Sequence, residues 1–175
     1  MTSWRAPSIE RSETQRAAGE REAVESWLDF HRETMLLKCA GLDADQLKTR
    51  AVPPSGMSLL GLVRHMVEVE RWWFRINVAG EDLDYEYCTD ESPDGDWDLL
   101  DGADPEADFA TWHREVEAAR AAVRDRDLDE TFKAKGRAGH LMNLRWVYLH
   151  MVEEYARHNG HADLLRERID GATGD

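Results

Sequence analysis

The stretch His150-Met151-Val152-Glu153-Glu154-Tyr155-Ala156-Arg157-His158-Asn159-Gly160-His161 holds three of the seven histidines of the chain. Glu154 stands four residues before His158. Imidazole nitrogens and carboxylate oxygens stacked on one helix face are donors that a divalent metal accepts. Set Glu154 at zero on a helix that turns about 100° per residue; His158 then falls at about 40°, Leu165 and Val147 at about 20°, Met151 at about 60° and Ala162 at about 80°. Glu154 and His158 therefore sit within an apolar stripe. A carboxylate there is costly unless it is paired, protonated or bound to a cation, which favours these two as inward-facing ligands. His161 and His150, at about −20° and −40° by the same geometry, fall on the stripe's edge as supporting or rim residues. Asn159 and Arg157 join them: Asn159 to line the site's mouth or orient ligands, Arg157 to grip a substrate carboxylate or to pair along the helix.

The third donor lies elsewhere. His65 shares a helix face with Leu62, Val69, Trp72, Trp73 and Ile76. Two His and one Glu make three protein ligands, the number typical of a catalytic metal, whereas a structural zinc usually has four. Each residue alone has a plainer explanation. An inward His is commonly a hydrogen-bonded core residue, and an i, i+4 Glu–His pair can be a helix ion pair. The convergence of three donors on apolar faces of two helices is what points to a metal.

Those donors need elements to carry them. Helical periodicity predicts a first helix over 12–40, with Trp27, Phe30, Thr34, Leu37 and Ala40 on its apolar face and Gly41 as a stop. Ser58 is an N-cap for a second helix over 58–78. The 81–106 connection is acidic, contains no Lys or Arg, and shows no convincing periodicity. It lacks the ordered spacing of a calcium loop and reads as solvated surface. Asp104 and Pro105 read as N-cap and first helical residue of a third helix carrying Phe109, Trp112, Val116, Ala119 and Val123. After a short connection over 127–140, a fourth helix spans 143–169 and stops at Gly171. The expectation is one all-α domain over 1–175: a four-helix bundle with a long second connection and mobile termini at about 1–11 and 170–175.

Composition narrows the function classes. The net charge of −14 argues against nucleic-acid binding and against docking on anionic lipid. No apolar run approaches the roughly 20 residues that span a bilayer, and the N-terminus lacks a signal-peptide core. Two cysteines, Cys39 and Cys88, make no disulfide framework. These features predict a cytoplasmic protein with reduced thiols. Tryptophans on long amphipathic helices make a homodimer plausible without locating its interface.

Two strings carry a family resemblance. One is Pro54-Ser55-Gly56-Met57-Ser58-Leu59-Leu60-Gly61-Leu62-Val63-Arg64-His65, leading into Glu68-Val69-Glu70-Arg71-Trp72-Trp73. The other runs from Asn143 to Glu167 through His158-Asn159-Gly160-His161-Ala162-Asp163. Together they resemble the DinB-like superfamily of four-helix metalloproteins and, within it, the actinobacterial mini-circle proteins. The resemblance implies a divalent metal, zinc or nickel, held by a His on the second helix and two residues four apart on the last. His65, Glu154 and His158 match those positions. Mycothiol-dependent maleylpyruvate isomerases are similar in using His, Glu and His, and other members use bacillithiol or glutathione. The implied role of the metal is to bind a low-molecular-weight thiol as thiolate. The isomerases carry an additional C-terminal domain, whereas this chain ends soon after its fourth helix, which sets maleylpyruvate isomerisation apart. The expected function is thus a mycothiol-type transferase or isomerase-like enzyme acting on a small-molecule substrate. The alternatives are a non-catalytic protein in which the metal ties helices together, and a metal-assisted hydrolase.

Overall fold

Ser58 and Asn143 start the two helices that carry the expected donors. The Ser58 hydroxyl accepts the Gly61 N–H at 3.1 Å, and the Asn143 side chain accepts the Trp146 N–H at 2.9 Å. Each satisfies a backbone donor that the first helical turn leaves without a partner. The computed structural model describes residues 4–136 and 139–174. Its order is α1 (Glu20–Cys39), α2 (Ala44–Lys48), α3 (Leu59–Glu70), a π-helix (Arg71–Val78) continuing α3, α4 (Gly95–Asp98), α5 (Pro105–Val123), β1 (Thr131–Lys133), β2 (Leu141–Asn143) and α6 (Leu144–Asp170). The long rods α1, α3 with its π extension, α5 and α6 form the expected all-α bundle. α1 packs mainly on α6, and α3 mainly on α5. Leu28, Met35, Leu62, Met66, Leu144, Met151 and Tyr155 fill its centre.

The first helix begins at Glu20, eight residues later than its pattern suggests. Residues 12–18 offer almost no apolar surface to bury, and α1 side chains take their backbone instead: Ser12 N–H reaches Glu33 at 2.5 Å and Gln15 N–H reaches Ser26 at 3.0 Å. The buried face of α1 is also rotated. Leu28, Met35, Leu36 and Cys39 are inside while Trp27 is 47 % exposed, because the buried Arg32 belongs to the inner face and pairs there with Glu70 at 2.7 Å. Contacts extend further toward the N-terminus than helix patterning suggests. Arg5 bridges to Asp43, Ala6 is buried, and Trp4 meets Phe109 edge-on.

Past Glu70 the second helix widens. The Ala79 N–H reaches back five residues to Phe74 O at 3.0 Å, and Asn77 Nδ2 donates to Trp72 O, also five residues back, at 2.7 Å. Such π segments frequently sit at functional sites. A short antiparallel hairpin, Thr131 opposite Asn143, precedes α6; periodicity gave no sign of it.

The 81–106 connection is not the solvated loop its composition suggests. Glu68 of α3 accepts three of its backbone N–H groups, from Glu86, Tyr87 and Cys88, at 3.1, 2.6 and 3.1 Å. α4 then lies on α3 with Asp96 and Leu100 buried. Gly61 permits this approach: a Cβ there would stand 2.9 Å from Trp97 Cε3. The attachment is side chain to backbone across a gap in sequence, so no local period records it.

Candidate metal centre

α3 and α6 bring His65, Glu154 and His158 together. One donor atom from each lies within 4.8 Å of the others. His158 Nε2 is 3.5 Å from Glu154 Oε2, and the His65 and His158 rings meet edge-on with centroids 4.9 Å apart. Ligand atoms about 2.1 Å from a tetrahedral ion stand about 3.4 Å from each other, so the separations suit an ion among them.

The outer nitrogens of both imidazoles are engaged. His65 Nδ1 is 2.8 Å from Asp96 Oδ2, which leaves Nε2 as the atom it could offer to a metal. His158 Nδ1 is 3.3 Å from His161 Nδ1. A carboxylate behind a histidine fixes its tautomer and raises its basicity as a ligand. Asp96 is held in turn, its Oδ1 accepting the Trp97 N–H at 3.1 Å, and the Trp97 ring lies against His65 at 4.9 Å. Burial, with His65, His161 and Arg157 nearby, pushes His158 down to about 4. Near neutral pH it is an uncharged imidazole with a lone pair to offer. The donor set and its surroundings therefore fit a divalent metal.

The helical phase put Glu154 slightly too deep, while His158 is buried as its phase predicts. The buried side of α6 holds the expected Val147, Met151, His158, Ala162 and Leu165 and extends past them to Tyr148, Tyr155 and Asn159. The Tyr155 hydroxyl is satisfied by Glu70 at 2.9 Å and by Trp112 Nε1 at 3.2 Å, which lets this polar residue sit in the core. Glu154 consequently lies at the core's edge with its side chain 17 % exposed. Of the three donors, His65 lines a cleft of about 330 Å³, together with Trp72, Trp73, Tyr85, Cys88 and Trp97.

The remaining candidates divide. His150 adjoins the cluster, with Nε2 3.4 Å from Glu154 Oε1. Arg157 is on the rim, touching Glu153 and standing 3.9 Å from Glu154. Asn159 is turned elsewhere, donating to His31 O of α1 at 3.0 Å. Arg64 is buried, donating to Leu99 O at 2.7 Å and pairing with Asp108 at 3.5 Å, so it fastens the acidic connection. Neither cysteine is a ready nucleophile. Burial pushes Cys39 up to about 12. Burial and the Asp96 and Glu68 carboxylates push Cys88 up to about 11.

Asp96 and Trp97 escaped the sequence reading. Asp96 is one of several look-alike acidic residues between 82 and 104, and only its docking on α3 distinguishes it.

An all-α bundle with an imidazole–carboxylate–imidazole cluster at the edge of its core defines a DinB-like, metal-capable protein. The sequence model of the Mycothiol-S-transferase family matches residues 23–171, and the chain belongs to that family. No curated protein matches it. Among the described residues, no helix is long and apolar enough to cross a membrane.

Proposed function

We propose that the protein is a metal-dependent S-transferase that uses mycothiol, with zinc or nickel held by His65, Glu154 and His158. The observation that carries this reading is the convergence of those three donors, with His65 in the wall of an aromatic cleft, in a chain of the Mycothiol-S-transferase family. When bound, a divalent ion supplies Lewis acidity that lowers the pKa of a thiol brought to it. His158 contributes an uncharged nitrogen, and His65 is oriented by Asp96. The raised pKa values of Cys39 and Cys88 support an external thiol as the nucleophile. The thiol gives up its proton to solvent, and its sulfur forms the new bond to an electrophilic carbon as that carbon's bond to a leaving group breaks, the leaving group departing with the electron pair and taking up a proton. Trp72 and Tyr85, stacked at 5.9 Å, offer flat apolar walls for that electrophile. We place this chemistry in the cytoplasm.

His161 engages the outer nitrogen of His158 and is not among the three clustered donors. This supports a site with open positions over a closed structural one. The test is titration of the zinc-loaded protein with mycothiol by calorimetry, together with conjugation of a fluorogenic electrophile. Saturable thiol binding that disappears with His158→Ala, along with its bound zinc, is expected. Full zinc content in that variant would refute the ligand assignment. Zinc bound without any affinity for thiol would favour a metal that only ties α3 to α6.

A further inference from the structure

The edge of α6 carries a second group of donors, formed by His150, Glu153 and Glu154 and again within 4.8 Å of one another. His150 Nε2 is 3.4 Å from Glu154 Oε1, and His150 Nδ1 is 3.6 Å from Glu153 Oε2. Hydrogen bonds of this kind run at about 2.7–3.2 Å. Both separations are longer. An imidazole gives an ion one nitrogen: the 3.4 Å between His150 Nε2 and Glu154 Oε1 matches the spacing of two ligands around a small cation, and one donor atom from each of the three residues lies within 4.8 Å of the others. Glu154 also divides its two oxygens: Oε2 faces His158 and Oε1 faces His150. A carboxylate with a different imidazole at each oxygen is arranged as a bridge between two ions.

We propose that a second divalent ion binds at His150, Glu153 and Glu154, sharing Glu154 with the first; the proposal rests on the His65–Glu154–His158 reading above. One imidazole and two carboxylates suit a first-row divalent ion such as zinc or manganese. The His150 ring is held between Trp146, stacked at 4.8 Å, and Trp73, edge-on at 4.8 Å. A ligand fixed by its neighbours loses little freedom on binding. Arg157 already brings a positive charge to the two carboxylates, touching Glu153 and lying 3.9 Å from Glu154. Its side chain is 55 % exposed, and an exposed pair of this kind holds weakly. Arg157 is thus the cation that a metal displaces, and the second site is the weaker of the two.

The test is equilibrium dialysis of the metal-free, full-length protein against zinc, with bound metal counted by elemental analysis. The wild type takes up two equivalents, the second at higher zinc concentration. Glu153→Gln, at a half-exposed position that does not threaten the fold, and His150→Ala each saturate at one equivalent. Arg157→Gln, by removing the competing cation, moves the second uptake to several-fold lower zinc. Saturation of the wild type at one equivalent overturns the proposal and leaves the His65 site standing, whereas no uptake at all overturns the His65 site and this proposal with it. Two equivalents in Glu153→Gln also overturn it.

Discussion

Asp96→Ala removes a residue outside the proposed ligand set and yet should weaken metal binding. The Asp96 side chain is 5 % exposed, and its Oδ2 lies 2.8 Å from His65 Nδ1. In the variant nothing fixes the tautomer or the ring orientation of His65, and the imidazole loses its carboxylate partner. Loss of such a supporting residue typically lowers metal affinity about 10–100-fold, or about 1.4–2.7 kcal/mol. The His65 side chain is 26 % exposed, so water can partly replace the lost acceptor. That puts the expectation in the lower half of the range, about 10–30-fold. Asp96→Asn keeps an acceptor oxygen and should lose less. Asp98→Ala removes a nearby carboxylate that is 67 % exposed and should leave affinity unchanged. Competition with a chelating indicator at fixed pH measures each constant, and thermal melts followed by circular dichroism confirm that the helices persist. An Asp96→Ala affinity within twofold of wild type, or equal to that of Asp98→Ala, would show that the carboxylate does not support the ligand.

Three further expectations follow from other parts of the fold. Glu70 is fully buried and takes two hydrogen bonds from Arg32, at 2.8 and 2.7 Å; Glu70→Ala strands that guanidinium and should cost about 3–5 kcal/mol in urea unfolding, and a loss below about 1 kcal/mol would contradict a buried pair. At Gly95 a Cβ would stand 2.2 Å from Tyr87 O, so Gly95→Ala should lift α4 from α3, speeding hydrogen exchange at residues 86–97 and weakening metal binding with it; unchanged exchange would mean that the close approach is not required. His158 is pushed down to about 4 from an ordinary 6.5, so between these values the unfolded chain binds more protons than the folded one. For the metal-free protein this contribution is intact above about pH 6.5 and lost as the pH falls toward 4, to a total of about 3 kcal/mol at most. Urea midpoints across that range should flatten in His158→Asn, and parallel curves for the two proteins would assign the acid sensitivity elsewhere.

Where the sequence was informative, its signals were local. Ser58, Asn143, the Asp104–Pro105 pair and Gly171 each satisfy or release backbone groups within a few residues, and each helix start or stop they mark is present. Phe109, Trp112, Val116, Ala119 and Val123 recur at the helical period and are all buried. The signals that failed involve polar residues in the interior. Arg32 belongs to no apolar stripe and is inside only because Glu70 pairs with it, and the Tyr155 hydroxyl is satisfied in the core by Glu70 and Trp112. Without Arg32 in the stripe, the inner face of α1 is drawn with the wrong phase, whereas the stripe expected on α6, Val147, Met151, His158, Ala162 and Leu165, is buried.

The spacing of Glu154 and His158 puts them on one turn of one helix wherever that helix lies, because the period of a helix is a property of the backbone. Together with an inward His65, this much of the candidate centre is written in the chain. The structure decides what surrounds those donors. It docks the acidic connection on α3 through Glu68, brings Asp96 behind His65, places Trp97 against its ring, and sets His65 in the wall of an open cleft. Those contacts join residues tens of positions apart through buried polar groups and a glycine-sized gap. Their free energy exists only when both partners are already in place, and no local pattern encodes it.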